Sequence, residues 1–242
     1  MNLSGATALV TGAGHRVGRA LAVALGAENM NVAVHYNATS EGADETVSLI
    51  ESAGGKARTF HSDLTHPDAP GQLIRDVVNK LGPLNVLINS AAVMKRQPFG
   101  SVTPKGWDET FTLNLRAPFF LAQAAAAEMP NGGAIVNIAD LAAFETWPSY
   151  IPHSISKAGI VKMTEGLARV LAPSIRVNAI APGAVLLPDD WGDKTGERLS
   201  DTTPLHRLGD PQDVVEAMLY LLRADYVTGE TIVVDGGRRI RK

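Results

Sequence analysis

Short apolar runs alternating with longer helical stretches set the tightest limit on how this chain can fold. "ATALVT" (6–11), "NVAVHY" (31–36), "KARTFHSD" (56–63), "LNVLINS" (84–90), "GAIVNIA" (133–139), "IRVNAIA" (175–181) and "TIVVD" (231–235) have the length and composition of strands. Most are apolar on both alternating faces, as a parallel sheet covered on both sides requires. The stretches between them, 16–29, 40–53, 69–81, 104–129, 153–171 and 210–224, are long enough for crossover helices. This repetition predicts an α/β fold, a doubly wound seven-stranded parallel sheet with helices on both faces. With 242 residues, 45% of them hydrophobic, and no Pro/Gly/Ser-rich linker, the chain is expected to build one core and one domain over 1–242. One long piece, 182–210, carries no regular pattern, and 184–208 within it is expected to act as a substrate lid.

Composition excludes several partners. A net charge of −3 supplies no basic face for nucleic acid or an anionic membrane, and the short tail "GGRRIRK" reads as solvated or cofactor-facing. The absence of cysteine removes disulfides and thiolate metal sites, and the scattered His61, His66 and His206 lack metal-ligand spacing, so no metal is expected. No cationic leader precedes a long apolar run, and the most apolar window, 117–129, is too short to span a bilayer. A cytoplasmic protein is the expectation.

Ligands of a doubly wound sheet sit beyond the carboxyl ends of its strands. The first such end is "VTGAGHRVGRA". Gly12 and Gly14 are expected to permit a tight turn, Gly18 to let the next helix pack close, and the helix amides to attract phosphate. Following one strand and preceding the end of a second by about twenty residues, this turn predicts a Rossmann-type dinucleotide site. At the end of the second strand, "VHYNATS" has no acidic side chain from His35 through Ser40 to take free ribose hydroxyls. Arg16 lies in the turn, and Asn37, Thr39 and Ser40 offer uncharged donors. A 2′-phosphate meets no repulsion there, so the expected cofactor is NADP(H).

"TGAGHRVG", "HSDL" (61–64), "NSAA" (89–92), Asn114 in "LNLRAPF", "IVNIAD" (135–140), "SISKAG", "IRVNAIAPG" (175–183) and "VTGETIVVDGG" (227–237) occur in this order. Together they resemble the short-chain dehydrogenase/reductases over essentially the whole chain. The resemblance implies that Gly12, Gly14, His15, Arg16, Val17 and Gly18 hold phosphates, and that His35, Tyr36, Asn37 and Ser40 surround the adenosine ribose. It also implies that Asp63 and Leu64 meet the adenine, that Asn89, Ser90 and Ala91 line the cofactor, and that Pro182 and Gly183 lie near the nicotinamide. Arg16 in place of a second glycine, and Asp140 in place of a serine, resemble the pteridine reductases. The closing "VDGGRRIR" is similar to that of the dihydromonapterin reductases. Reduction of a C=N bond in a pterin is what that branch implies.

Departures follow. Thirteen residues after Asp140, where pteridine reductases carry tyrosine, stands His153; their stacking aromatic corresponds to Met94, and a nearby serine to Ala92. His153 and Lys157, four apart, share a helical face. Imidazole, with a reference pKa of about 6.5, needs no lowering to exchange protons near neutrality. A cationic Lys157 disfavours imidazolium, and an ionised Asp140 favours it. Imidazole is also shorter than phenol, so its proton reaches a substrate directly or through a water.

Asp140, His153, Lys157 and Asn114 are therefore the candidate catalytic residues, and Met94, Trp147, Tyr150, Leu186, Leu187 and Trp191 the candidate substrate contacts. Tyr150 could supply the missing hydroxyl only if the helix ran back through it, and Pro152 opposes that unless it occupies the first turn. Three activities fit the residues: NADPH-dependent reduction of a C=N or C=O bond in a small molecule, cofactor binding with little redox activity, or non-redox acid–base chemistry. Relatives form dimers or tetramers through the helices around 104–129 and 153–171, so a homo-oligomer is implied.

Overall fold

In the computed structural model, which describes residues 1–186 and 193–240, seven parallel strands form one sheet in the order β3-β2-β1-β4-β5-β6-β7. The strands are β1 Thr7–Val10, β2 Asn31–Tyr36, β3 Lys56–His61, β4 Val86–Asn89, β5 Gly133–Ile138, β6 Ile175–Pro182 and β7 Thr231–Val234. The pleat sends alternate residues to opposite faces. Ala8, Val10, Val32, Val34, Val86 and Ile88 meet one set of helices, and Leu9, Ala33 and Leu87 meet the other. The first set comprises α1 Arg16–Ala27, α2 Ser40–Ser52 and α8 Pro211–Arg223. Opposite them pack α3 Ala69–Leu81, α5 Ala117–Ala127 and α6 Ile151–Leu171. The sequence therefore yields its expected single-domain, Rossmann-type, doubly wound architecture.

The span 104–129 departs from expectation. It is interrupted between α4 Pro104–Phe111 and α5 by a π-helical turn at Thr112–Arg116. Pro118 explains the interruption: it has no N–H to offer the carbonyl four residues earlier, that of Asn114, and its ring presses against that carbonyl. The hydrogen-bond ladder slips by one residue, and Asn114 is carried in the resulting bulge, fully buried.

A second departure is the stretch 182–210, where the sequence shows no pattern but Asp193–Asp201 forms α7. Leu199 is its one large buried hydrophobic side chain, which is too little for a legible apolar stripe. Farther on, α8 starts at a capping box ahead of Pro211: Asp210 Oδ1 accepts from Gln212 N at 2.8 Å, and Asp213 Oδ2 accepts from Asp210 N at 2.8 Å. Among the described residues, no helix is long and apolar enough to cross a membrane.

Candidate active site

Because strand order reverses at the β1–β4 junction, the loops after those strands diverge and leave a crevice. A cleft of about 780 Å³ opens there. Gly12, Gly14, His15, Arg16, Val17, Tyr36 and Asn37 line it on the β1–β2 side. Asp140, His153 and Lys157 line it on the β5–α6 side, with Met94, Trp147, Tyr150, Pro182, Gly183 and Leu186.

The first turn is shaped by close approach. A Cβ at Gly12, where φ is 65°, would lie 2.9 Å from Ala91 Cα, and one at Gly18 would lie 2.2 Å from the Gly12 carbonyl. Gly14 is different: its φ is not positive and its nearest neighbour would be an ordinary 3.4 Å away. The left-handed residues of the turn are Gly12 and Arg16, the latter at φ 53°, so the arginine occupies a backbone conformation suited to glycine. Arg16 Nη2 donates to the Leu186 carbonyl at 2.6 Å, joining the turn to the segment after β6. His15, the residue ahead of α1, makes no side-chain bond to the first helical turn, leaving its amides to an anion.

His35 braces this turn from below. Its Nδ1 accepts from Gly12 N at 3.1 Å, so its proton sits on Nε2, which donates to the Ser62 carbonyl at 2.9 Å. Burial pushes its pKa down to about 4. A neutral, doubly engaged imidazole shapes the turn rather than offering a donor to a ribose.

The candidate catalytic residues are held by backbone groups. Asn114 Oδ1 accepts from Val93 N at 2.8 Å, while its Nδ2 donates to the Val93 carbonyl at 2.9 Å and to Ser156 Oγ at 3.2 Å. The Val93 carbonyl so held lies 3.2 Å from His153 Nδ1, which places a proton on that nitrogen. His153 Nε2 faces Asp140 Oδ2 at 3.6 Å, an ion-pair distance, and has no hydrogen-bond partner among the described residues. The other carboxylate oxygen of Asp140 is committed to Ala142 N at 2.8 Å, fixing the turn after β5. Trp147 lies nearly parallel to the imidazole, ring centroids 6.5 Å apart.

Lys157, one helical turn after His153, is buried and donates from Nζ to the Ile138 carbonyl at 2.8 Å. Burial pushes its pKa down to about 8, with Asp140 pulling the other way. Tyr150 immediately precedes α6, and Pro152 sits in that helix's first turn. The helix does not run back through Tyr150, which forms part of the cleft wall.

Not every candidate reaches the cleft. Gly18, Ser40, Asp63, Asn89 and Asn114 do not line it, and Trp191 and Leu187 lie outside the described residues. Asp63 closes a local turn, accepting from Thr65 N at 2.9 Å and Thr65 Oγ1 at 2.7 Å, which holds its carboxyl below the usual range. Asn89 is buried at the sheet centre, donating to Asn137 Oδ1 at 2.9 Å. Conversely, the lining includes Val93, Leu113 and Arg198, which the sequence did not single out. Val93 acts through its backbone and leaves no signal in residue type, and no motif marks Arg198 on α7; Arg238 belongs to the tail that the sequence leaves as solvated or cofactor-facing, and it lines the cleft.

A family model described as enoyl-(acyl carrier protein) reductase matches residues 12–239. The chain belongs to the short-chain dehydrogenase/reductase family of oxidoreductases. It is 32% identical over 238 residues to the 3-oxoacyl-[acyl-carrier-protein] reductase FabG of Staphylococcus aureus, covering 96% of this chain and 97% of that one. A dehydrogenase/reductase from Sinorhizobium meliloti 1021 superposes with a TM-score of 0.92 at 35% identity, covering 98% of this chain and 97% of that one. FolM alternative dihydrofolate reductase 1 from Brucella canis, in complex with NADP, superposes with a TM-score of 0.91 at 29% identity, covering 100% and 97%.

Proposed function

We propose that this protein is an NADP(H)-dependent reductase that saturates a C=O or C=N bond of a small molecule, with a pterin-like or other flat heterocycle among its substrates. The observation that carries this reading is the grouping of Asp140, His153 and Lys157 on one wall of a cleft whose other end is the Arg16 turn. The cleft fits the cofactor: the backbone at Gly12 is kept bare by the approach of Ala91, and residues 35–40 set no carboxylate against a 2′-phosphate. NADPH supplies a hydride when bound.

The chain's own residues supply the rest. Arg16 and the first amides of α1 bind phosphate. Lys157 binds the nicotinamide ribose and contributes positive charge beside the reacting atoms. Val93 keeps one proton on His153 Nδ1, so the proton leaves Nε2 of the imidazolium for the substrate heteroatom, directly or through a water. Asp140 stabilises the charged ring before that transfer. Trp147 and Met94 offer apolar surface to a flat substrate, the methionine sulfur serving as a ring contact.

The test follows NADPH absorbance with purified protein against dihydrobiopterin, dihydrofolate and a panel of ketones and imines. Consumption of NADPH with one of these supports the reading. One observation favours a second reading, a cofactor-binding protein without turnover: His153 is only 3% exposed and both ring nitrogens face protein groups. Tight nucleotide binding without consumption, together with reductase activity gained in His153→Tyr, would establish it. Product formed with no change in cofactor oxidation would instead indicate acid–base chemistry.

Self-association belongs to the same proposal. Phe119, Phe120 and Ile155 on α5 and α6 are each more than 40% exposed, giving apolar material for a symmetric interface. Light scattering should find a dimer or tetramer.

A further inference from the structure

Beneath the glycine turn, His35 is bonded through both ring nitrogens, and the two bonds run in opposite senses. We propose that His35 is a positioning residue for the nucleotide: its bare Nδ1 holds the Gly12 amide, and through Gly12 it sets where the first turn of α1 and the segment after β4 meet the cofactor's phosphates. This rests on the NADP(H) reading of the cleft for the identity of the ligand.

The partners leave the ring one tautomer. A peptide N–H only donates, so Nδ1 must accept from Gly12; a carbonyl only accepts, so Nε2 must carry the proton toward Ser62. Ser62 thereby keeps Nδ1 free for Gly12. The His35 carbonyl also accepts from Ala13 N at 2.9 Å, so one residue of β2 grips two consecutive residues of the turn. An apolar side chain at position 35, like those of Val32, Ala33 and Val34 before it, would leave the Gly12 amide without this acceptor.

Gly12 is the point from which a displacement spreads. It meets Ala91 on one side and Gly18 of α1 on the other, both at separations that admit no Cβ. Its neighbours are fixed by other groups: Thr11 Oγ1 accepts from Ser90 N at 3.0 Å and from Ala91 N at 3.1 Å, while Thr46 Oγ1 donates to the Ala13 carbonyl at 3.0 Å. The orientation of the Gly12 amide is left to His35. Backbone packed this closely has no slack, so rotation at Gly12 moves α1 or the 90–91 segment instead of being absorbed. Gly12, His15, Ser90 and Ala91 all line the cleft, and the α1 amides are the anion-binding groups of its β1 side.

Asparagine and glutamine divide the two roles of the ring. The asparagine amide stands where Nδ1 stands and the glutamine amide where Nε2 stands, so His35→Asn keeps an acceptor for Gly12 and His35→Gln keeps a donor for Ser62. Each variant loses one buried hydrogen bond, and urea denaturation should find similar losses of stability. Their nucleotide affinities should differ. Calorimetric titration of the full chain with NADP+ is expected to show His35→Gln binding roughly tenfold more weakly than His35→Asn. Equal affinities, weaker binding by His35→Asn, or a difference that only follows stability would overturn the proposal and leave the cofactor reading intact. Absence of NADP+ binding by the unsubstituted protein would overturn both. Nuclear magnetic resonance of the 15N-labelled, unsubstituted protein at neutral pH needs no variant to fold. It should find His35 protonated at Nε2 and bare at Nδ1, with a slowly exchanging Gly12 amide before nucleotide is added. A proton on Nδ1, or a rapidly exchanging Gly12 amide, would overturn the proposal.

Discussion

His153 Nε2 and Asp140 Oδ2 face each other at 3.6 Å, while the other nitrogen of the ring is held by the Val93 carbonyl and the other oxygen of the carboxylate by Ala142 N. Each partner thus has one atom anchored and one directed into the pair. Asp140→Asn keeps the bond to Ala142 but removes the charge, so kcat should fall by roughly tenfold or more with little loss of stability. Asp140→Ala removes the cap as well and should also cost about 1 kcal/mol of stability. Steady-state rates and chemical denaturation of the two variants separate these effects.

Arg16 combines a left-handed backbone with a cation on the β1 side of the cleft, the proposed phosphate end. In Arg16→Gly, the relief of about 1 kcal/mol of backbone strain is offset by loss of the Leu186 contact, so stability should change by less than about 1 kcal/mol. NADPH affinity should fall by roughly tenfold while NADH affinity stays nearly constant, as fluorescence titration with both nucleotides would reveal. Equal losses for both would place the arginine away from the 2′-phosphate.

Lys157 loses its charge in the free protein at about pH 8. If the proposed role of Lys157 at the nicotinamide ribose holds, binding of NADPH should weaken as pH rises through about 8, and in Lys157→Met the dependence should vanish. Linkage gives a separate readout. The unfolded chain keeps this proton up to about 10.5, so between about 8 and 10.5 folding releases it and this group makes stability rise with pH. Nucleotide titrations and denaturation curves across that range check both signs.

His35 carries the opposite consequence toward acid. Its folded pKa of about 4 lies below the ordinary 6.5, so the unfolded state binds more protons between these values. Stability from this group is complete above about 6.5 and is lost as pH falls toward about 4, a change on the order of 3 kcal/mol. His35→Asn should flatten that part of the stability profile measured by urea denaturation.

The sheet and its helices were legible because their signals are local: apolar strands of a few residues, glycines at forced close approaches, and Asp210 ahead of Pro211. The interruption at Asn114 was also written in the sequence, in Pro118, but a long apolar helical pattern concealed it. Asp140, His153 and Lys157 are legible through spacing and resemblance, because one turn after β5 and one face of the helix that follows it, α6, carry all three. The Val93 carbonyl was not legible, because any residue type supplies a carbonyl. Arg198 is hidden for another reason: it reaches the cleft only because α7 forms, and α7 carries no legible apolar stripe.

Rapid-mixing kinetics of His153→Ala, with NADPH prebound and the best substrate of the panel added, examine the central claim most directly. With His153 as the proton donor, the rate of NADPH oxidation should drop by about 100-fold or more while the NADPH Kd stays within about twofold. An oxidation rate equal to that of the unsubstituted protein would contradict it.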